Sequence, residues 1–218
     1  MSEPAITSLQ ISGHQESTVP NRFFRQPGEA SELEVIFPGL RYTCDMPLLY
    51  YPARLLLARG ADVLQLHTDY NYPEFEAAPL LARAQWLGAD ALAGVQVGLS
   101  QRPYNRLILV GKSIGTLAIG FLLAGGIAAG ATTIWLTPLL QQPLLVQAAS
   151  QCSGPALFVA SDADSTYDPA AMQKIQAACG ARSLVLSGAN HSLEIPGDPL
   201  RSVQYLHTIL ESISSLFT

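Results

Sequence analysis

Residues Arg106–Gly120 read RLILVGKSIGTLAIG. Leu107–Val110 is a short unbroken apolar run of the kind a buried strand needs, and Ile114–Ala124 is an apolar, small-residue stretch of helical length. Between them Gly-Lys-Ser-Ile-Gly leaves room only for a tight turn. A strand that passes straight into a helix through G-x-S-x-G lifts its central residue, here Ser113, above the end of a sheet in strained backbone geometry. Gly111 and Gly115 suit the flanks because a Cβ at either would crowd the strand–helix crossing.

The same residues admit a phosphate-loop reading, since Gly111-Lys112-Ser113 ends a Walker pattern. That pattern needs glycine where this chain has Arg106, and Leu107 to Val110 form a strand that cannot wrap a phosphate. The pentapeptide by itself is weak, with odds of chance occurrence of roughly one in ten at ordinary glycine and serine usage. Its flanking strand and helix carry the signal.

The chain has 218 residues, 49% of them hydrophobic, which suits one domain with a sizeable core. Only 13% are charged, so much of the length must be buried, as in a parallel sheet covered on both faces. A net charge of −5 without a basic run leaves no footprint for nucleic acid. Cys44, Cys152 and Cys179 are widely spaced and form no metal or disulfide pattern. The start, MSEPAITSLQ, lacks a basic segment and an apolar core, so a cytoplasmic setting is expected. Leu117–Leu140 is apolar enough to resemble a membrane span, but Gly125-Gly126 and Gly130 divide it into a helix and a strand.

Strands and helices alternate along the chain. Residues 1–30 suggest a β-ribbon of the same sheet, with strands at Ala5–Ser12 and Thr18–Gln26. Further strands are expected at Leu33–Phe37, Asp62–His67, Leu107–Val110, Thr132–Leu136, Ala156–Ala160 and Ser183–Leu186. Helices are expected at Pro47–Arg59 with Asp45 as N-cap, Ala77–Leu99, Ile114–Ala124, Leu144–Ser150, Asp168–Ala178 and Pro199–Leu216. This order predicts a doubly wound, mostly parallel α/β sheet flanked by helices on both faces, in a single domain over residues 1–218.

In such sheets ligands sit beyond the carboxyl ends of the strands. There the chain places Pro38-Gly39-Leu40, then Ser113, then Ser161-Asp162-Ala163-Asp164, then Gly188-Ala189-Asn190-His191. The order Ser, Asp, His, with the motifs GKSIG, SDADSTYDP and GANHSLE, resembles the α/β-hydrolase superfamily from about Glu32 to the end. The resemblance implies Ser113 as nucleophile, His191 as its base, and Asp164 as the acid that orients the imidazole, with Asp162 the second choice. The family's G-x-x-D-x-x-x-P pattern is imperfect here, with Ser161 and Asp168 in place of its glycine and proline. Asp168 instead suits an N-cap before Pro169. The resemblance further implies an oxyanion hole from the backbone N–H groups of Ile114 and Leu40, with Arg41 or Tyr42 in place of Leu40 if the loop shifts, no metal and no cofactor. Lys112 reads as a packed stem with its head in water, and His14, His67 and His207 as structural.

The interval from Ser113 to Asp164 holds two helices and two strands and leaves no room for a large lid. The chain therefore resembles the small, lidless carboxylesterases and thioesterases. A substrate wall is expected from Leu40, Arg41 and Tyr42, from Tyr70 and Tyr72, from Thr137 and Leu139, and from Tyr167 and Leu193. These residues suit a small or medium ester or thioester. The reading from a different class is a non-catalytic binding or regulatory protein on the same scaffold.

Overall fold

Eight strands form one sheet in the order β1-β2-β4-β3-β5-β6-β7-β8 in the computed structural model, which describes residues 3–217. β1 (Ala5–Thr7) and β2 (Asn21–Arg25) make the amino-terminal ribbon, antiparallel to each other and to β4 (Asp62–Leu66). From β4 through β3 (Glu32–Phe37), β5 (Arg106–Lys112), β6 (Thr132–Leu136), β7 (Ala156–Ser161) and β8 (Arg182–Leu186), all neighbours are parallel.

Helices cover both faces. α1 (Pro47–Ala58) and α7 (Pro199–Ser214) pack on one side, with Leu49, Leu56, Ile209 and Ile213 against Ile36, Val63, Ile108 and Ile134. On the other side lie α3 (Leu80–Leu99), α4 (Gly115–Ala124), α5 (Pro143–Ala149) and α6 (Pro169–Cys179), against Leu33, Val35, Leu109 and Trp135. Strand alternation sorts the residues: Leu33, Val35 and Phe37 face one layer, Ile36 the other. The apolar stretch from Leu117 to Leu140 divides between α4 and β6, and no helix among the described residues is long and apolar enough to cross a membrane.

Three local expectations change. The helix expected at Ala77–Leu99 is two, with α2 (Pro73–Ala77) separated from α3 by Ala78 and Pro79. A proline disfavours helical backbone in the residue before it, and Ala78 accordingly has ψ 142°. Gly88 and Gly94 do not interrupt α3; they let it lie against Phe121 and Leu66. Asp45 does not cap α1. Met46 holds that position without a side-chain bond, and Asp45 pairs with Arg22 at 3.0 Å. Asp168 does cap α6, accepting from the N–H groups of Ala170 and Ala171.

β3 carries a group that its apolar run conceals. Glu34 is fully buried between Val63 and Ile108 in adjacent strands, and neither carboxyl oxygen has a hydrogen-bond partner among the described residues. Burial pushes its carboxyl from 4.5 up to about 8, so the folded chain holds it neutral at pH 7 while the unfolded chain ionises it. The stability it contributes is complete below pH 4.5 and is lost as pH rises towards 8. At about 1.4 kcal/mol per pH unit, the loss by pH 7 is on the order of 3 kcal/mol. Glu34→Met should remove this slope and raise stability at pH 7 by about 3 kcal/mol. Urea unfolding of both proteins at pH 5 and pH 7.5 checks it; a wild type equally stable at both would contradict it.

Candidate active site

β5 ends in the middle of the sheet, and the chain turns there through Ser113 at φ +54°, a backbone region that non-glycine residues seldom occupy. The turn is tied down on both sides. The Ser113 N–H donates to the Leu136 carbonyl at 2.9 Å, and the Ser113 carbonyl accepts from the Thr116 N–H at 2.9 Å and from the Thr116 hydroxyl. α4 starts so close that a Cβ on Gly115 would lie 2.3 Å from the Phe37 carbonyl oxygen, and one on Gly111 would lie 2.7 Å from that of Gly115. Both glycines are thus required by close approach of β5, α4 and the end of β3. Arg41 (φ +57°), Thr137 (φ +45°) and Leu193 (φ +57°) also follow strand ends at this rim. Four of the six non-glycine residues with positive φ among the described residues thus follow strand ends here; the other two, Gln15 and Glu16, lie in the amino-terminal turn.

Three side chains meet there. His191 Nε2 lies 2.8 Å from Ser113 Oγ, and His191 Nδ1 lies 2.7 Å from Asp164 Oδ2. An ionised carboxylate only accepts, so Nδ1–H donates to Asp164 and the neutral ring leaves Nε2 to accept the Ser113 hydroxyl proton. Asp164 Oδ1 accepts from the Thr166 N–H at 2.9 Å. Burial drives the Asp164 carboxyl up, but the bonds from His191 and Thr166 outweigh it and hold the carboxyl below its ordinary value. Ser113 is 8% exposed, whereas the His191 side chain is 39% exposed, so the arrangement opens to solvent on the imidazole side.

Asp162, the other acidic candidate, lies elsewhere. It is exposed, accepts the Gly188 N–H at 2.7 Å, and so joins the loop after β7 to the loop after β8. That bond holds its carboxyl below the ordinary value. The N–H groups of Ile114 and Leu40 donate to no backbone carbonyl among the described residues, and both residues are half-buried. The Arg41 N–H, next to Leu40 in the same turn, likewise donates to no backbone carbonyl among the described residues.

The expected substrate wall divides. Arg41 is exposed and Tyr72, Leu139 and Tyr167 are half-buried. Arg41 donates to Asn71 and pairs with Glu76 at 3.6 Å, so its guanidinium is already engaged on the surface. Thr137 and Leu193 are buried: Thr137 is fully enclosed just after β6, and Leu193 belongs to the core under α1 and α7. Tyr42 is 6% exposed; its hydroxyl accepts the Leu48 N–H that opens α1, and it lines a cleft with Gly39, Arg41 and His67 that Ser113 does not line. Tyr70 is drawn into the core because its hydroxyl donates to buried Asp90, which also receives the His14 N–H. Asp90 thereby pins the amino-terminal segment to α3, a role that an acid within an apolar helix did not announce. Lys112 is not in water: it is 2% exposed.

No protein-family model matches this chain, and no curated protein matches it in sequence. Solved structures do match in shape. The Pyrococcus furiosus esterase Pf2001 superposes with a TM-score of 0.72 at 12% identity, over 98% of this chain and 91% of that one. A Xanthomonas campestris α/β serine hydrolase without a lid gives 0.67 at 16% identity, over 99% and 95%. Est1E from Butyrivibrio proteoclasticus gives 0.68 at 14% identity, over 99% of both, and a further structure of it holds ferulic acid. At these identities the likeness concerns architecture: the chain has the α/β-hydrolase fold, in a small form.

Proposed function

We propose that this protein is a serine hydrolase that cleaves ester or thioester bonds of small to medium substrates through an acyl-enzyme on Ser113. The observation that carries the reading is the continuous hydrogen-bonded chain from Ser113 Oγ through His191 to Asp164. Ser113 Oγ attacks the carbonyl carbon as its proton passes to His191 Nε2. The negative charge on the carbonyl oxygen is received by the N–H groups of Ile114 and Leu40, each such donor contributing about 10²–10³ in rate. The imidazolium, stabilised by Asp164, returns the proton to the departing alcohol or thiol. Water then attacks the acyl-enzyme with His191 again as base, releasing the acid and restoring Ser113. The esterase and serine-hydrolase names of the structural neighbours agree with this chemistry, and the ferulic acid held by Est1E recommends aryl esters for the substrate panel.

Stoichiometric labelling by a fluorophosphonate, mapped by mass spectrometry to the peptide containing Ser113, is the expected result. Folded protein that takes up no label, or takes it up at another residue, would overturn the reading.

A further inference from the structure

Lys112 precedes Ser113 and is buried, yet no carboxylate lies within ion-pair distance of it among the described residues. Its ammonium sits 4.7 Å from the centre of the Tyr42 ring, within the range in which a cation is drawn to an aromatic face. Its stem runs so close to Gly39 that a Cβ there would lie 2.9 Å from Lys112 Cδ. Gly39 and Tyr42 bracket the turn that carries Leu40. Their backbones exchange hydrogen bonds, Gly39 N–H to the Tyr42 carbonyl at 3.1 Å and Tyr42 N–H to the Gly39 carbonyl at 3.2 Å. The Tyr42 hydroxyl fastens the far side of the turn to α1. One side chain from the Ser113 strand therefore grips both ends of the loop holding the free Leu40 N–H.

We infer that Lys112 is a positioning residue: its cationic head on Tyr42 and its stem on Gly39 hold the Leu40 N–H in register with Ser113 as one half of the oxyanion hole. The inference rests on the proposed hydrolase reading and adds a group that acts through Tyr42 and Gly39, not on the substrate. A neutral amine would keep the stem packing and lose the attraction to the ring. Burial lowers the ammonium to about 8, against an upward pull from Asp164, so the grip weakens as pH rises through that range. The other ionisable groups facing this contact are Tyr42 itself and Glu194, whose charge acts on Tyr42. Glu34, on the neighbouring strand, titrates in the same range but acts on stability of the whole fold.

The test compares wild type, Lys112→Met, Tyr42→Leu and the double variant in kcat, KM and pH profile on a soluble aryl ester, with unfolding midpoints measured at each pH. Displacing one oxyanion donor should lower kcat about 10- to 100-fold in either variant with KM nearly unchanged. The double variant should be no worse than the poorer single one. Wild-type kcat should fall above pH 8, and this fall should vanish in Lys112→Met. Should Lys112→Met not fold, Tyr42→Leu approaches the same contact from the other side and must show the same kcat loss. Wild-type kcat in either folded variant, or an alkaline fall that persists in Lys112→Met, overturns the inference alone, provided that wild type labels at Ser113. Absence of that label overturns the hydrolase reading and this inference with it.

Discussion

Replacing Ser113 with alanine is expected to lower kcat by about a million-fold while leaving the fold in place. No other hydroxyl among the described residues is hydrogen-bonded to His191 Nε2, so the covalent route closes completely. What survives is catalysis by oxyanion donors and binding, which in enzymes of this kind leaves about 10³–10⁴ over water. Among the described residues the Ser113 side chain hydrogen-bonds only to His191, a half-exposed ring that water can satisfy in its place. The turn is held by Ser113 backbone atoms, through Leu136 and Thr116, and alanine retains those bonds. The strain of φ +54° is common to serine and alanine. Steady-state turnover of an aryl ester, with thermal unfolding of both proteins, checks both halves. A variant retaining more than a small fraction of wild-type kcat would remove Ser113 from the mechanism.

The fold was legible because its signals are local and repeated. The apolar runs at Leu33–Phe37, Leu107–Val110 and Thr132–Leu136 are short, bounded by turn residues and separated by helical stretches, which describes a parallel sheet buried on both faces. Ser113, Asp164 and His191 were legible as a set because each follows a strand, and the fold brings those three side chains within hydrogen-bond distance. The parts that escaped depend on partners distant in sequence. Nothing near Lys112 reveals that Tyr42 will offer it a ring face, and nothing near Tyr70 reveals Asp90. Tyr70, Thr137 and Leu193 follow strand ends as a wall would, yet their side chains are enclosed in the molecule. Position after a strand identifies the rim of the sheet; it does not decide which side of the backbone faces a ligand. Glu34 escaped for the opposite reason. A charged letter inside an apolar strand reads as an exposed face, and only the second helical layer closes over it.

Asp164→Asn is expected to cost about 10⁴ in kcat, and Asp162→Asn to leave kcat near wild type. The difference follows from what each carboxylate holds. Asp164 presents Oδ1 to the Thr166 N–H and Oδ2 to His191 Nδ1. In the amide only one oxygen remains, and the Thr166 N–H fixes it at the Oδ1 position. The NH₂ group must then face His191. A donor at that place makes Nδ1 the acceptor and moves the ring proton to Nε2, where it points at Ser113 and cannot take the hydroxyl proton. The imidazolium formed during attack also loses its neighbouring negative charge. Asp162 chiefly holds the Gly188 N–H on the surface, and an asparagine oxygen can accept that bond equally well. KM should change little in either variant, because Asp164 is buried and bonded to His191 and Thr166, and Asp162 is engaged with the Gly188 N–H. The pair of variants therefore separates two acids two residues apart. A large loss in Asp162→Asn with none in Asp164→Asn would reverse the assignment, and equal small losses would leave His191 without an acid and the proposed mechanism without its charge stabilisation.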